Sequence, residues 1–170
     1  MKVIEYTESQ ILNILEKRFL SNPKYIIRNL YVFGWESDYL ALTRSGYWYE
    51  IEVKISRSDF NADMKKVQKH NILSSKISID GKSYSSSNNK HLFNRPNYFY
   101  YAVPEGLITK EEVPDYAGLI YIDEYKFYRI AKMAPAIHKD KIKIDLQDKF
   151  YYNWKNELSK NNKLIKSKKI

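Results

Sequence analysis

Apolar residues Ile11, Leu12, Leu15 and Phe19 recur at helical spacing near the start of the chain. Thr7-Glu8-Ser9-Gln10 precedes them and fits a capping box: Thr7 can accept from the backbone three residues on, and Gln10 can reach back. Ser21-Asn22-Pro23 ends this first predicted helix, because proline disfavours helix in the residue before it. Three stretches rich in β-branched and aromatic residues follow, Tyr25 to Phe33, Tyr39 to Thr43 and Tyr47 to Ile55. Arg44-Ser45-Gly46 joins the last two and suits a three-residue hairpin loop, with Gly46 taking positive φ. In the third stretch Tyr49, Ile51, Val53 and Ile55 alternate with Glu50, Glu52, Lys54 and Ser56, so the two sets take opposite faces. Ser58 is placed to cap a second helix over 59–72, with Phe60, Met64 and Val67 as its apolar stripe. Asp59 and Asp63 sit one turn apart on an adjacent face with Lys66 and His70.

Residues 80–91 are rich in Ser and Asn and read as a mobile surface loop. Asn97 to Val103, ended by Pro104, Gly118 to Ile122, and Lys126 to Lys132 are further predicted strands. Leu146, Phe150, Trp154 and Leu158, at steps of four, predict a helix over 144–160 that runs into a lysine-rich end. The order α-β-β-β-α-β-β predicts an α+β fold with a central mixed sheet flanked by helices. The expected organisation is one domain over 1–143, with 144–170 a C-terminal helix and basic tail packed on it.

Composition narrows the function classes. At 170 residues and 44% hydrophobic, the chain can bury a core as a single domain. It has no cysteine, which excludes disulfides, thiolate zinc sites and a cysteine nucleophile. Its three histidines, His70, His91 and His138, do not cluster. No apolar run approaches the ~18 residues of a membrane span and the start lacks a signal-peptide pattern, so the expectation is a cytoplasmic protein. No Gly-rich phosphate loop is present, which argues against a nucleotide-hydrolysing motor. The 16 tyrosines read mainly as sheet packing, with base stacking a lesser alternative. Lys and Arg number 29 against 20 Asp and Glu, for a net charge of +9. Most of the excess lies in residues 54–70 and 155–169, around one predicted strand and helix and along the tail. That concentration favours a nucleic-acid partner over a membrane surface.

The candidate chemistry lies between Trp35 and Asp63. If the 44–46 loop sets the hairpin register, Thr43 pairs with Tyr47 and Asp38 falls opposite Glu52. Opposed carboxylates repel, and a hard divalent cation between them removes that cost. Lys54 projects from the same face one strand step on, where an ammonium can orient or help deprotonate an attacking water and stabilise charge on a phosphate. These are the groups that metal-assisted phosphodiester hydrolysis needs. An ordinary amphipathic strand also carries Glu-x-Lys, and in this register Glu36 sits opposite Lys54 as a simple ion-pair partner.

Asp38 followed by Glu52-Val53-Lys54, between two helices, resembles the PD-(D/E)XK nuclease superfamily. The longer run Glu50-Ile51-Glu52-Val53-Lys54-Ile55-Ser56-Arg57-Ser58-Asp59-Phe60, with Asp63 and Lys65-Lys66, is similar to its MmcB-like DNA-repair branch and related phage proteins. Tyr98 to Pro104 and Tyr116 to Ile120 are similar too, so the resemblance spans roughly residues 7–137. It implies a restriction-endonuclease-like core. Asp38, Glu52 and the Val53 carbonyl would hold Mg²⁺, with Mn²⁺ a substitute, and Lys54 would position or activate the water. Glu8 matches the superfamily's helix carboxylate, Asp59 and Asp63 match the branch's helix acids, and Glu36 would be an outer acid. Each also has a plainer role: helix-dipole complementarity for Glu8 and Asp59, an ion pair with Lys66 for Asp63. The superfamily's proline before the first acid is absent, since Ser37 stands there. Arg57, Lys65, Lys66 and Lys69 are expected to grip DNA phosphates.

The expected function is Mg²⁺-dependent DNA hydrolysis in DNA repair or phage DNA processing, in the host cytoplasm if phage-encoded. A homodimer is compatible, because cutting two strands needs two sites. The rivals are a catalytically silent nucleic-acid-binding protein and a phage structural or assembly protein on the same fold.

Overall fold

The computed structural model describes residues 5–74, 77–79, 82–84 and 95–141, together with 144, 146 and 150. The first helix, α1 (Glu8–Arg18), starts as its sequence dictates. Gln10 N–H donates to Thr7 Oγ1 at 3.3 Å, and Thr7 N–H donates to Gln10 Oε1 at 2.9 Å. Three antiparallel strands follow: β1 (Tyr25–Tyr31), β2 (Glu36–Leu42) and β3 (Trp48–Val53). The 44–46 loop sets the predicted register. Thr43 N–H donates to Tyr47 O at 3.0 Å, Gly46 has φ +91°, and Tyr39 pairs with Ile51 and Leu40 with Glu50.

The second helix of the sequence reading is two helices, α2 (Arg57–Met64) and α3 (Val67–Leu73). Ser56, not Ser58, is the cap, accepting from Asp59 N–H at 3.1 Å. The break at Lys65-Lys66 has a visible cause. The Asp63 carbonyl takes the Lys66 N–H at 2.9 Å and the His70 Nε2–H at 2.7 Å, outside an α-helical ladder. His70 is fixed in turn by the Tyr116 hydroxyl at its Nδ1. The expected stripe fails at Val67, which is 65% exposed because the second helix begins there with a new phase.

Strands β4 (Ile77–Ile79) and β5 (Lys82–Tyr84) pair antiparallel, so part of the stretch read as loop is a strand; most of 80–91 lies outside the described residues. The main sheet is completed by β6 (Tyr98–Pro104), β7 (Ala117–Ile122) and β8 (Tyr128–Lys132), in the order β1-β2-β3-β6-β7-β8. β3 runs parallel to β6 and β6 to β7; the other neighbours are antiparallel. Gly118 on β7 leaves room for the Tyr100 ring, which a Cβ would meet at 2.3 Å. The predicted helix over 144–160 lies almost wholly outside the described residues.

The protein is thus an α+β fold with a six-stranded mixed sheet and, among the described residues, three helices. One sheet face packs on α1 through Tyr39, Ile51, Val53 and Tyr100 against Ile11, Leu12 and Leu15. The other packs Phe99, Tyr101 and Leu119 against Phe60 of α2, Leu73 of α3 and Leu107, Ile108 and Val113 of the β6–β7 connection. Among the described residues no helix is long and apolar enough to cross a membrane.

Candidate functional site

The ladder between β2 and β3 ends at Tyr39–Ile51. The next inward donor on β3, Val53 N–H, goes to Asp38 Oδ2 at 2.8 Å. A carboxylate thus stands where a backbone carbonyl would continue the sheet, and Asp38 is fixed beside Glu52. Burial, then the charge of Glu52, pushes the Asp38 carboxyl up from the ordinary 3.8 to about 7. Glu8, exposed on the first turn of α1, adds a smaller push in the same direction. Among the described residues Asp38 has no ion pair within 4 Å.

Glu52 and Lys54 are both buried, and Lys54 Nζ donates to Glu52 Oε2 at 2.9 Å. Burial alone would lower the Lys54 pKa; Glu52, with Asp38 and Asp63, outweighs it and holds the ammonium charged, above its ordinary value. The anticipated Glu36–Lys54 pair does not form. Glu36 is exposed opposite Tyr31, and Lys54 instead lies 3.9 Å from Asp59 Oδ1 and 4.0 Å from Asp63 Oδ1.

The structure corrects the placement of Lys69. Expected at the DNA-facing surface, it is 4% exposed, with Nζ 2.6 Å from Glu52 Oε1 and 3.2 Å from Asp63 Oδ1. On one straight helix, residues 63 and 69 would point apart, since only positions three or four apart are neighbours. The break between α2 and α3 turns Lys69 inward. Arg57 donates to Leu107 O at 2.6 Å and pairs with Glu112, with its side chain still 57% exposed. Lys65 is exposed at the α2–α3 junction, and Lys66 extends from it to pair with Asp63 Oδ1 at 2.9 Å.

Asp63 is a hub. Beyond its lysines, its Oδ2 accepts from the Tyr101 hydroxyl at 2.7 Å. Burial would raise its pKa, but Lys69, Lys66 and Tyr101 hold it far below the ordinary range. Tyr101 is one of the tyrosines expected to serve sheet packing. Its pairing with Glu52 across β3–β6 is a tertiary register that no local signal shows. Glu50 shares the face of Glu52 along β3. It is fully buried, and Oε1 accepts from Trp35 Nε1 at 2.6 Å and Ser37 Oγ at 2.7 Å. Burial pushes it up to about 8, and Oε2 has no hydrogen-bond partner among the described residues, as suits a neutral carboxylic acid.

Among the described residues no three His, Cys, Asp or Glu side chains gather as a metal cage. Asp38 and Glu52 are two neighbouring carboxylates, the number with which Mg²⁺ is commonly held alongside water. Asp38 has no ammonium within 4 Å among the described residues, and Lys54 from farther off partly offsets the push of burial and Glu52 on its carboxyl.

What the fold and site define is an α+β protein whose central strand carries a buried acid–lysine cluster. No family model matches the chain, and no curated protein matches it. Among solved structures it is similar to the SPO1766 protein of unknown function from Silicibacter pomeroyi. The two are 22% identical, over 78% of this chain and 75% of that one, with a TM-score of 0.46.

Proposed function

We propose that this chain is a Mg²⁺-dependent DNA nuclease of the PD-(D/E)XK superfamily, with a restriction-endonuclease-like core, acting in DNA repair or phage DNA processing. The observation that carries this reading is that Glu52, its ion-paired Lys54 and Asp38, whose Oδ2 takes the Val53 N–H, stand together where β2 and β3 part. Asp38 and Glu52, with the Val53 carbonyl, would hold Mg²⁺ or Mn²⁺. A bound divalent cation supplies charge stabilisation to a phosphodiester. Lys54, held charged by Glu52, acts as a donor rather than a base: it orients the attacking water and meets charge developing on the phosphate. Lys65 and Lys66, exposed at the α2–α3 junction, would contact the DNA backbone. Arg57, exposed beside its Glu112 partner, would join them, whereas the buried Lys69 is held by Glu52.

One observation favours a catalytically silent nucleic-acid-binding protein: both oxygens of Glu52 are already held by ammonium groups. Cleavage of single-stranded, double-stranded and branched DNA in Mg²⁺ and Mn²⁺ separates the readings. The nuclease loses about 10²–10⁴-fold in rate on Lys54→Ala, in the range of a positioned proton-handling side chain, and likewise loses activity on Asp38→Ala. If wild type cleaves no better than these variants yet binds DNA in a salt-dependent way, the silent reading stands. Without such binding, an assembly role takes its place.

A further inference from the structure

We propose that Lys69 is a positioning residue for Glu52, anchored by Asp63. This inference rests on the reading of Asp38 and Glu52 as a cation site. Lys69 Nζ holds Glu52 Oε1 at 2.6 Å and Lys54 Nζ holds Oε2 at 2.9 Å, so that reading assigns the cation to the spare lone pair of Oε2, on the Lys54 side. Groups from different elements fix the ammonium in place. Asp63 of α2 contacts it at 3.2 and 3.3 Å through its two oxygens, and Tyr101 of β6 holds Asp63 Oδ2 at 2.7 Å. The faces of Phe99 and Trp35 lie 5.1 and 5.9 Å from it, centroid to nitrogen. Lys69 therefore has one place to be, and the Glu52 carboxylate cannot swing without breaking its shortest contact. Groups behind a metal ligand commonly act this way, fixing its orientation without touching the ion.

The alternative is a purely structural ion cluster, and the two differ in sign. Removing a positive charge beside a cation site should tighten cation binding by electrostatics alone. Loss of a positioning residue should weaken it. The test is a calorimetric titration of the full chain with Mn²⁺, free of DNA, for wild type, Lys69→Met and the charge-balanced Lys69→Met/Asp63→Asn. The double variant removes one charge of each sign and keeps the Tyr101 partner, so it carries the test if the single variant does not fold. The expected result is Mn²⁺ affinity about 10- to 100-fold weaker in both, with kcat for DNA cleavage reduced and KM unchanged. Affinity equal to or tighter than wild type overturns the positioning role. So does a rise in KM alone, which would mark Lys69 as a phosphate contact. If wild type itself binds no Mn²⁺, the cation-site reading fails, and this inference with it.

Discussion

The two faces of β3 are made by alternate residues of one strand and could hardly differ more. Tyr49, Ile51 and Val53 join the hydrocarbon layer against α1. On the other face Glu50 accepts from Trp35 and Ser37, while Glu52 and Lys54 just beyond it reach α2 and α3 through ion pairs with Lys69, Asp59 and Asp63. Both sides of the strand are buried, apart from the partly exposed Tyr49. An interior strand covered on both faces normally reads as a near-continuous apolar run. The departure from that pattern is confined to one face, and this is where the candidate chemistry lies. Burying ions adds little net stability, because desolvation offsets the attraction. The apolar face therefore carries the fold, and the ionic face fixes charged groups in space.

The largest expected effect tests that division on the apolar side. Ile51 is fully buried between α1 and the sheet. Ile51→Ala should destabilise the fold by about 2–5 kcal/mol, the lost transfer energy plus the cavity left behind. Urea unfolding measures the loss. In the fraction that remains folded, Mn²⁺ affinity should match wild type. A comparable loss of cation binding would show that the two faces are not separable.

How much of this contrast was legible in the sequence depended on range. The alternation along Tyr49 to Lys54 assigned both faces, and Arg44-Ser45-Gly46 fixed the register, because a hairpin loop is a local device whose Gly46 takes the positive φ it requires. The Thr7 capping box was local in the same way. The helix break was not legible: it depends on His70 turning back to the Asp63 carbonyl while held by Tyr116, 46 residues along the chain. That break re-phases Lys69 from an expected surface residue into the buried partner of Glu52. The Tyr101 contact to Asp63 needed the parallel β3–β6 pairing, which local patterning does not specify.

A second, smaller effect sharpens the comparison on the ionic side, where a functional group should cost stability. The Asp38 carboxyl is raised from 3.8 to about 7 by burial and by Glu52. A raised carboxyl binds its proton more tightly in the folded than in the unfolded state. Its unfavourable contribution is therefore absent below the unfolded pKa, grows as pH rises from about 4, and is complete above the folded value of about 7. Asp38→Asn keeps an oxygen for Val53 N–H and removes the charge. In EDTA the variant should melt above wild type at pH 8, with the gain fading towards pH 5, while losing cleavage. Thermal melts at the two pH values measure it. A variant less stable at pH 8 would mean that the Asp38 charge supports the fold.

The smallest effect lies outside both faces. Lys65 is exposed where α2 ends, and its backbone rather than its side chain shapes the turn. Lys65→Ala should therefore leave stability within about 0.5 kcal/mol of wild type. If its ammonium meets a phosphate, the variant should bind DNA more weakly for every sequence. The slope of log K against log salt should also shrink by about one. Mn²⁺ affinity should not move, since Lys65 reaches neither Glu52 nor Asp38 in the ion pairs of the site. Salt-titrated binding to one duplex, with Mn²⁺ calorimetry alongside, reads both quantities. An unchanged salt slope would remove Lys65 from the DNA surface and leave Lys66, already paired with Asp63, as the cation at that junction nearest the site.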